Sequence, residues 1–321
     1  MLLSAGLCPA WQRIVVLDEL RPGARNQARE VHEVASGKPV NVGVALHCLG
    51  AKCRVLVPLG GATGDHLYQE LTGLGVRCRF VRTSAASRIC TTVVGRGSVT
   101  ELVEPAPVLS AAEVGAFVDA YRRTAREARV AVLSGPLPRD VPTELYAELL
   151  GSTPCPAVVD ASGDALLRTL AVRPLVITST LEDLEDTLGE PLRDETRLVR
   201  ALRDLERRGA RWLAVSRGTD DLVLVGEGSA WRLQSPAPLD VANSTGFADC
   251  LVAGIALGIQ QGLRVVDGAR FGLGAAADNA ATLLPSRVDP AKVSDLADAV
   301  EVEPWRAWHG SQPAEHVPTQ N

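Results

Sequence analysis

A turn of small residues and an acid stand directly before the most apolar segment of the chain. Residues 243–249 read NSTGFAD, and the small and aliphatic run 250–259 after them predicts a buried helix. The first amides of a helix have no partner inside it and lie at the positive end of its dipole, so they can bind a migrating phosphoryl group. The carboxylate of Asp249 can accept a proton from an attacking hydroxyl. The pattern therefore fits phosphoryl transfer, and it also fits an ordinary helix start at which Asp249 only complements the dipole.

Other small and polar residues follow predicted strands in the C-terminal half of the chain. Ligands of open α/β sheets bind beyond the carboxyl ends of the strands, so loops at these positions are candidate binding loops. Each of them is also consistent with a simple turn, but their recurrence favours a nucleotide site in this half. The loops are Ser134-Gly135, Thr178-Ser179-Thr180 and Ser216-Arg217-Gly218.

The first half of the chain has its own candidate site in residues 36–43, which read SGKPVNVG. Pro39 is suited to the first turn of a helix, whose early residues would include Lys38 and Asn41. A cation at a helix start is unfavourable for the dipole, so Lys38 is either solvated or matched to an anion. The spacing is not that of a Walker A loop.

The elements that position these residues predict an α/β protein. From residue 110 onward, helical segments alternate with short apolar runs, which predicts a doubly wound, mostly parallel sheet with helices on both faces. Earlier β-type runs have few helices between them, and we expect a small β-sheet lid formed from about 12–34 and 78–104. The interpretation is one α/β domain over residues 1–300 and a loosely packed tail over 301–321.

Composition excludes several classes of protein. The chain has 321 residues, 46% hydrophobic residues and a net charge of -5. A net negative charge does not favour binding to a nucleic acid. Its seven scattered cysteines include no C-x-x-C pair, which argues against a zinc site and for reduced thiols. The apolar run 250–259 is too short for a membrane span, and the N-terminus lacks the features of a signal peptide. We therefore expect a cytoplasmic protein.

Eight short motifs occur in a fixed order over about residues 1–290. Each is weak alone, and the collinear set is specific. They are Gly37-Lys38-x-x-Asn41-Val42, Leu59-Gly60-Gly61-x-Thr63-Gly64-Asp65, Ser87-Arg88-Ile89, Glu104-Pro105-x-Pro107, Leu133-Ser134-Gly135-x-Leu137-Pro138, Asp160-x-Ser162-Gly163, Val215-Ser216-x-Gly218 and Thr245-Gly246-x-x-Asp249.

This order resembles the ribokinase-like (PfkB-type) sugar kinases, and most of all their 1-phosphofructokinase and tagatose-6-phosphate kinase branch. The resemblance implies ATP and Mg2+ as cofactors, a small sugar phosphate as substrate and a homodimer that pairs its lids. It makes Asp249 the catalytic base and the amides around Gly246, Phe247 and Ala248 an anion hole. The remaining implied contacts are Gln12, Gly37, Lys38, Asn41, Arg88 and Ser134 for the substrate, Thr178, Thr180, Ser216, Gly218, Thr245 and Asn279 for the nucleotide, and Asp183 and Glu182 for the metal.

The chain departs from the family pattern where the chemistry should occur. Gln12 stands where an aspartate typically binds sugar hydroxyls, and Thr178 begins a segment that lacks the usual lysine and asparagine. Phe247 and Ala248 replace the usual Ala and Gly, and a Cβ at Ala248 would cost about 1–2 kcal/mol if that position needs a positive φ. Further departures are Ser36, Pro39, Thr92 and Val103.

Three functions stay open at this point. The first is a kinase that phosphorylates a hydroxymethyl group of a small phosphorylated sugar, in which Arg88 grips the existing phosphate. The second is a non-catalytic paralogue that binds a sugar phosphate or a nucleotide. The third is a kinase of an uncharged sugar or nucleoside, for which Arg88 is incidental. A dehydrogenase is excluded, because no G-x-G-x-x-G follows the first strand.

Overall fold

The structure, a computed structural model, describes residues 1–236 and 241–310. Its described residues form a ten-stranded sheet in the order β14-β13-β12-β11-β10-β9-β8-β1-β4-β5 and a separate four-stranded sheet in the order β3-β2-β6-β7. The strands are β1 Leu2–Ala5, β2 Ala10–Val16, β3 Glu30–Ser36, β4 Cys53–Leu59, β5 Cys78–Arg82, β6 Arg88–Gly95, β7 Ser98–Val103, β8 Val130–Ser134, β9 Ala157–Asp160, β10 Val176–Thr180, β11 Trp212–Arg217, β12 Asp221–Gly226, β13 Ser229–Gln234 and β14 Glu301–Pro304.

The helices connect these strands and cover the large sheet. A capping box opens one of them: the Ser110 hydroxyl accepts from the Glu113 amide at 3.3 Å, and the Glu113 carboxylate accepts from the Ser110 amide at 2.7 Å. The helices are α1 Lys38–Cys48, α2 Gly61–Gly73, α3 Ala111–Ala125, α4 Leu145–Gly151, α5 Gly163–Thr169, α6 Leu181–Leu188, α7 Glu195–Arg207, α8 Phe247–Gln260, α9 Val265–Ala280, α10 Pro290–Ala299 and α11 Arg306–Gly310, with a 3-10 turn at Leu170–Val172.

Seven neighbouring strands of the large sheet run parallel. In their order across the sheet they are β11, β10, β9, β8, β1, β4 and β5. Their apolar sequences suit burial on both faces, as parallel sheets require. The register brings their carboxyl ends together: Ser134 pairs with Asp160, Asp160 with Thr178, and Thr180 with Ser216. This edge therefore collects the loops that the sequence singled out. Strands β12 and β13 form a hairpin after β11, and β12 pairs with β11 in the antiparallel direction.

Two hydrophobic cores lie on the opposite faces of the large sheet. Helices α3 to α7 cover one face, with Phe117, Tyr121 and Tyr146 fully buried. Helices α1, α8, α9 and α10 cover the other, and the predicted buried helix is α8, whose residues 250–258 are all buried. The doubly wound α/β fold with helices on both faces is confirmed.

The four-stranded sheet lies over the start of α1 and packs against α2, where the rings of Trp11 and His66 are 5.4 Å apart. It contains one parallel pair, β2 with β6, between two antiparallel pairs. This is the separate small sheet that the sequence predicted, and we refer to β2, β3, β6 and β7 as the lid.

Two expectations about the boundaries need correction. Residues 78–82 belong to β5, which pairs with β4 at the edge of the large sheet, because the parallel crossover through α2 returns there and not to the lid. The start of the expected tail is also ordered: β14 pairs with β13, and Trp305 and Trp308 are buried against the core. Residues 311–321 of that tail lie outside the described part of the chain. No described helix has the length and apolar character to cross a membrane.

Candidate active site

A cavity of about 470 Å³ lies between the inner face of the lid, the start of α1, the end of β10 and the N-terminus of α8. It is the place where most of the predicted site residues meet, although they are far apart in sequence. The predicted residues that line it are Gln12, Gly37, Lys38, Asn41, Arg88, Thr180, Asp183, Thr245, Gly246, Phe247, Ala248 and Asp249.

The carboxyl group of Asp249 is buried at the floor of this cavity, in the first turn of α8. Its Oδ2 accepts a hydrogen bond from Nδ2 of Asn41 at 2.7 Å, and Oδ1 has no partner among the described residues. Asn41 is fixed in turn by Ser36, whose hydroxyl donates to Asn41 Oδ1 at 3.0 Å. One carboxylate oxygen is therefore held in place, and the other is buried without a hydrogen bond in the described residues.

The environment of Asp249 suits a proton acceptor that works near neutral pH. The pKa of Asp249 is raised to about 7: burial is the largest cause and the charge of Asp160 also raises it, while the charge of Lys38 and the hydrogen bond from Asn41 lower it. A general base functions best when its pKa lies close to the working pH.

The turn before α8 forms a cup of backbone amides beside this carboxylate. Gly246 caps the helix with a φ of 88°, and a Cβ there would lie 3.1 Å from both Asn279 Oδ1 and Ser286 Oγ. Within the described part of the chain, the amides of Gly246, Ala248 and Asp249 donate to no acceptor. Three N–H groups at a helix N-terminus are thus available to an anion.

The two unusual residues of this turn do not obstruct the cup. Ala248 lies within α8 and has no positive φ, because the left-handed position is Gly246. The Phe247 side chain is 6% exposed and packs into the hydrophobic core on the α8 face of the sheet. The strain that the sequence suggested at Ala248 is therefore absent.

Asn279 stabilises the turn that forms the cup by hydrogen bonds to the backbone. This residue is fully buried in α9; its Nδ2 donates to the Thr245 carbonyl at 3.0 Å, and its Oδ1 accepts from the Ser286 amide at 2.6 Å. It does not line the cavity but holds the turn through these bonds, and its nucleotide contact stays a prediction.

Lys38 is matched to carboxylates of the protein and is not simply solvated. Its Nζ lies 3.2 Å from Asp160 Oδ1 and 3.8 Å from Asp183 Oδ2. Burial by itself would lower the pKa of Lys38, but the carboxylates of Asp160, Asp249 and Asp183 raise it above its ordinary value, so the lysine stays charged. Ser134, which the resemblance placed at the substrate, is fully buried and donates to Asp160 Oδ2 at 2.9 Å. It therefore orients the partner of Lys38.

Arg88 begins β6 and faces the cavity from the lid. Its Nη2 donates to the Cys8 carbonyl at 3.3 Å and its Nη1 to the Glu104 carbonyl at 3.2 Å, while Nε is buried without a partner in the described residues. Neutral carbonyls hold the guanidinium in place, and no described carboxylate forms an ion pair with it. It is available to an anionic group of a ligand.

The remaining predicted contacts lie outside this cavity. Thr178 and Ser216 are each 3% exposed, and the Thr178 hydroxyl donates to the Val159 carbonyl. Glu182 is exposed at the surface of α6. Thr180, which does line the cavity, caps that helix by accepting from the Asp183 amide at 3.0 Å. Gly218 has a φ of 63° in the turn between β11 and β12, and its neighbours line a second cavity of about 720 Å³.

Two functional candidates were missed from the sequence. Asp160 is the last residue of β9, at the carboxyl edge of the sheet, and its position in one of the eight motifs was the signal that could have singled it out. Glu101 lies on β7 between Val99 and Val103, and all three line the cavity. The period of two along a strand places these three residues on one face, so alternation was the available signal.

The comparisons with known proteins agree with this geometry. Residues 2–282 match the family described as pfkB family carbohydrate kinase. The chain therefore belongs to the pfkB family. Membership of this family identifies it as a sugar kinase, a transferase of phosphoryl groups.

Solved structures of a possible 1-phosphofructokinase, a phosphofructokinase-2 and a ribokinase share the fold of this chain. A possible 1-phosphofructokinase from Thermotoga maritima has a TM-score of 0.88 at 21% identity, with 95% of this chain and 99% of that chain covered. Phosphofructokinase-2 from Escherichia coli has a TM-score of 0.83 at 22% identity, with coverage of 92% and 98%. Ribokinase from Thermotoga maritima has a TM-score of 0.74 at 18% identity, with coverage of 92% and 99%.

Proposed function

We propose that this pfkB-family protein transfers the γ-phosphoryl group of ATP to a hydroxymethyl group of a small sugar that already carries a phosphate. The observation that carries the proposal is the juxtaposition of three features in one cavity. Asp249 with its unpartnered Oδ1, the residues that carry the free amides at the start of α8, and Arg88 all line the same cavity.

Each feature has a distinct role in the proposed reaction. Asp249 Oδ1 accepts the proton of the attacking hydroxyl, while Asn41 holds Oδ2 and fixes the direction of attack. The amides of Gly246, Ala248 and Asp249 stabilise the charge of the phosphoryl group during transfer. Arg88 binds the phosphate that the acceptor already carries, since its planar fork suits bidentate contact with phosphate oxygens.

The donor set fits Mg2+ in the manner usual for kinases, in which one or two carboxylates and the substrate phosphates hold the ion. Asp183 is the carboxylate that we propose for it, because this residue lines the cavity and is partly exposed, whereas Glu182 does not border the cavity. No group of three or more potential metal ligands occurs in the described residues, so the phosphates would supply the remaining ligands. The ion would neutralise charge on the transferred phosphoryl group.

We place the rest of the nucleotide along the carboxyl ends of β10 and β11, towards the cavity at the β11–β12 turn. Thr180 and Thr245 border the first cavity, and the residues on either side of Gly218 border the second. The buried hydroxyls of Thr178 and Ser216 would shape these loops rather than contact the nucleotide.

A product assay on the purified protein tests the proposal. ATP, Mg2+ and a panel of ketohexose 1-phosphates, ketohexose 6-phosphates and the corresponding free sugars would be supplied, and ADP and sugar bisphosphate would be measured. We expect a bisphosphate product from at least one phosphorylated acceptor. Binding of sugar phosphates, seen as thermal stabilisation, with no product from any acceptor would instead support the non-catalytic paralogue.

The activity should decline in acid. A base must be deprotonated to accept a proton, and the pKa of Asp249 is raised to about 7, so kcat/KM is expected to fall about tenfold per pH unit below pH 7. A profile from pH 5 to 9 measures this limb. The Lys38→Met variant should move the limb to higher pH, because Lys38 lowers the pKa of Asp249. If the acidic decline of kcat/KM occurred at the same pH in this variant, the decline would be assigned to ionisation of the substrate and not of Asp249.

We also propose a homodimer formed through the lid, in a cytoplasmic protein. Leu102 and Val103, at the end of the edge strand β7, are 60% and 59% exposed, and Val31 on the opposite edge strand is 47% exposed. Unpaired strand edges with apolar side chains favour association with another sheet. Sedimentation at micromolar concentration should give a dimer, and the Leu102→Lys variant should sediment as a monomer. A monomeric wild-type protein would contradict this.

A further inference from the structure

Glu101 brings a carboxylate from the lid to the edge of the α8 cup. It lies in the middle of β7 on the face that lines the cavity. Its Oε1 accepts a hydrogen bond from the Thr245 hydroxyl at 2.6 Å, across the cavity mouth and directly before Gly246. Within the described residues, Oε2 has no hydrogen-bonded partner, and the side chain is exposed.

The neighbouring lid residues that line the cavity do not offer an exposed carboxylate as a hydrogen-bond acceptor. Gln12 is only 5% exposed, and its amide donates to the Thr92 hydroxyl at 2.7 Å within the lid. Cys90 is buried, and Val99 and Val103 are apolar. Among the described lid residues that line the cavity, Glu101 is therefore the exposed anionic acceptor.

The charged residues around the cavity favour different parts of a ligand on different sides of it. Glu101 and Asp249 both line the cavity, and the charge of Glu101 contributes to the raised pKa of Asp249. The phosphate that the acceptor already carries would be attracted to Arg88, whereas the transferred phosphoryl group would lie at the amides of the α8 turn. A sugar hydroxyl, in contrast, is a neutral donor and forms a strong hydrogen bond with a carboxylate.

We propose that Glu101 is a specificity-determining residue that accepts a hydrogen bond from a second hydroxyl of the acceptor. The acceptor would then be polyhydroxylated, with one hydroxyl at Asp249, another at Glu101 and its phosphate at Arg88. Thr245 holds Glu101 in position for this contact. The inference rests on the proposed function, because it concerns the acceptor of that reaction.

The test is binding by titration calorimetry in the presence of a non-hydrolysable ATP analogue and Mg2+, together with kcat/KM where turnover occurs. The probes are fructose 6-phosphate, tagatose 6-phosphate, fructose 1-phosphate and monodeoxy analogues of the acceptor that binds best. In the wild type, one deoxy analogue should bind about 10- to 100-fold more weakly than its parent, the effect of a hydrogen bond to a charged group. The Glu101→Ala variant should bind the parent more weakly by a similar factor and no longer distinguish it from that analogue.

Three variants separate a hydroxyl contact from a merely structural role. Glu101→Gln retains one acceptor oxygen and should recover part of the discrimination. Glu33→Gln makes the same charge change elsewhere on the lid, at an exposed carboxylate paired with Arg13 outside the cavity, and should bind all probes as the wild type does. Thr245→Val removes the contact between the lid and the α8 turn without removing the carboxylate. It should therefore retain discrimination at the same hydroxyl.

The outcomes distinguish this inference from the proposed function. Turnover by the wild type with discrimination unchanged in Glu101→Ala would overturn the inference and leave the kinase assignment in place, as would equal effects of Glu101→Ala and Thr245→Val. Discrimination that depends on Glu101, without any turnover, would support the inference and overturn the proposed catalysis. A wild type that binds none of the sugar phosphates would overturn both.

Discussion

The Asp249→Asn variant is expected to lose about 10²–10⁴ in kcat, with little change in the KM for ATP. An asparagine fits the same space but cannot accept the proton of the attacking hydroxyl, and general base catalysis contributes about this factor. Asn41 and the amides of the α8 turn would remain to bind the substrates. Steady-state rates of ADP formation at saturating acceptor measure the effect. Equal kcat values for the two proteins would remove Asp249 from the mechanism.

The stability of the same variant serves as its control. Because the pKa of Asp249 is about 7 in the folded protein and near 3.8 in the unfolded chain, the native state binds the extra proton between these values. The free energy of unfolding therefore falls as the pH rises from about 4 to 7, by a few kcal/mol at about 1.4 kcal/mol per unit. Asparagine removes this cost, so the Tm of Asp249→Asn should exceed that of the wild type at pH 8 and approach it near pH 4. A lower Tm at pH 8 would mean that the variant damages the fold.

The Arg88→Ala variant is expected to lose about 10²–10⁴ in kcat/KM on phosphorylated acceptors and almost nothing on an uncharged sugar. The guanidinium is held by the carbonyls of Cys8 and Glu104 and has no described carboxylate partner, so a substrate phosphate would supply its counter-charge. Two hydrogen bonds to a charged group, each contributing about 1.5–3 kcal/mol, account for a loss of this size.

Two further variants make the Arg88 result specific. Arg88→Lys keeps the charge but not the bidentate fork, and it should recover only part of the activity. Arg13→Ala removes an exposed lid arginine that pairs with Glu33 outside the cavity, and it should leave kcat/KM unchanged. If Arg88→Ala lowered kcat/KM equally on charged and uncharged acceptors, the phosphate contact would be wrong. The kinase of an uncharged sugar or nucleoside would then be the better assignment.

The sequence assigned Asp249, Asn41, Lys38 and Arg88 to one site for two physical reasons; all four line one cavity, and their roles stay predictions. Loops after parallel strands converge at one edge of the sheet, and the α8 turn carries a recognisable combination of glycine, acid and apolar helix. Together with the family motifs, these features predicted both the fold and the floor of the site.

Other features depended on long-range geometry that a single sequence does not contain. The partner of Lys38 is Asp160, 122 residues away, and the strand register that brings Ser134 beside Asp160 is a property of the assembled sheet. The assignment of residues 78–82 to the lid was wrong because a β-type pattern does not specify which sheet a strand joins. Similarly, the buried states of Thr178, Ser216 and Asn279 follow from packing against neighbouring elements.

The α8 turn illustrates how coordinates decide a question that residue types leave open. The family pattern raised the question whether Ala248 would be strained and whether Phe247, which replaces a small residue, is compatible with the turn. The positive φ falls on Gly246, and the Phe247 ring is buried in the core, so the helix start keeps its free amides. The departures at these two positions are compatible with an anion cup.

The account depends most on the claim that a phosphoryl group crosses from ATP to a hydroxyl at Asp249. A single-turnover experiment with excess protein, γ-³²P-labelled ATP, Mg2+ and the acceptor that binds best measures this step directly. We predict rapid appearance of label in a sugar bisphosphate with the wild type, and at least 10²-fold slower labelling with Asp249→Asn. Label that stays in ATP while both ligands are bound, or that reaches the sugar at the same rate in both proteins, would contradict the account.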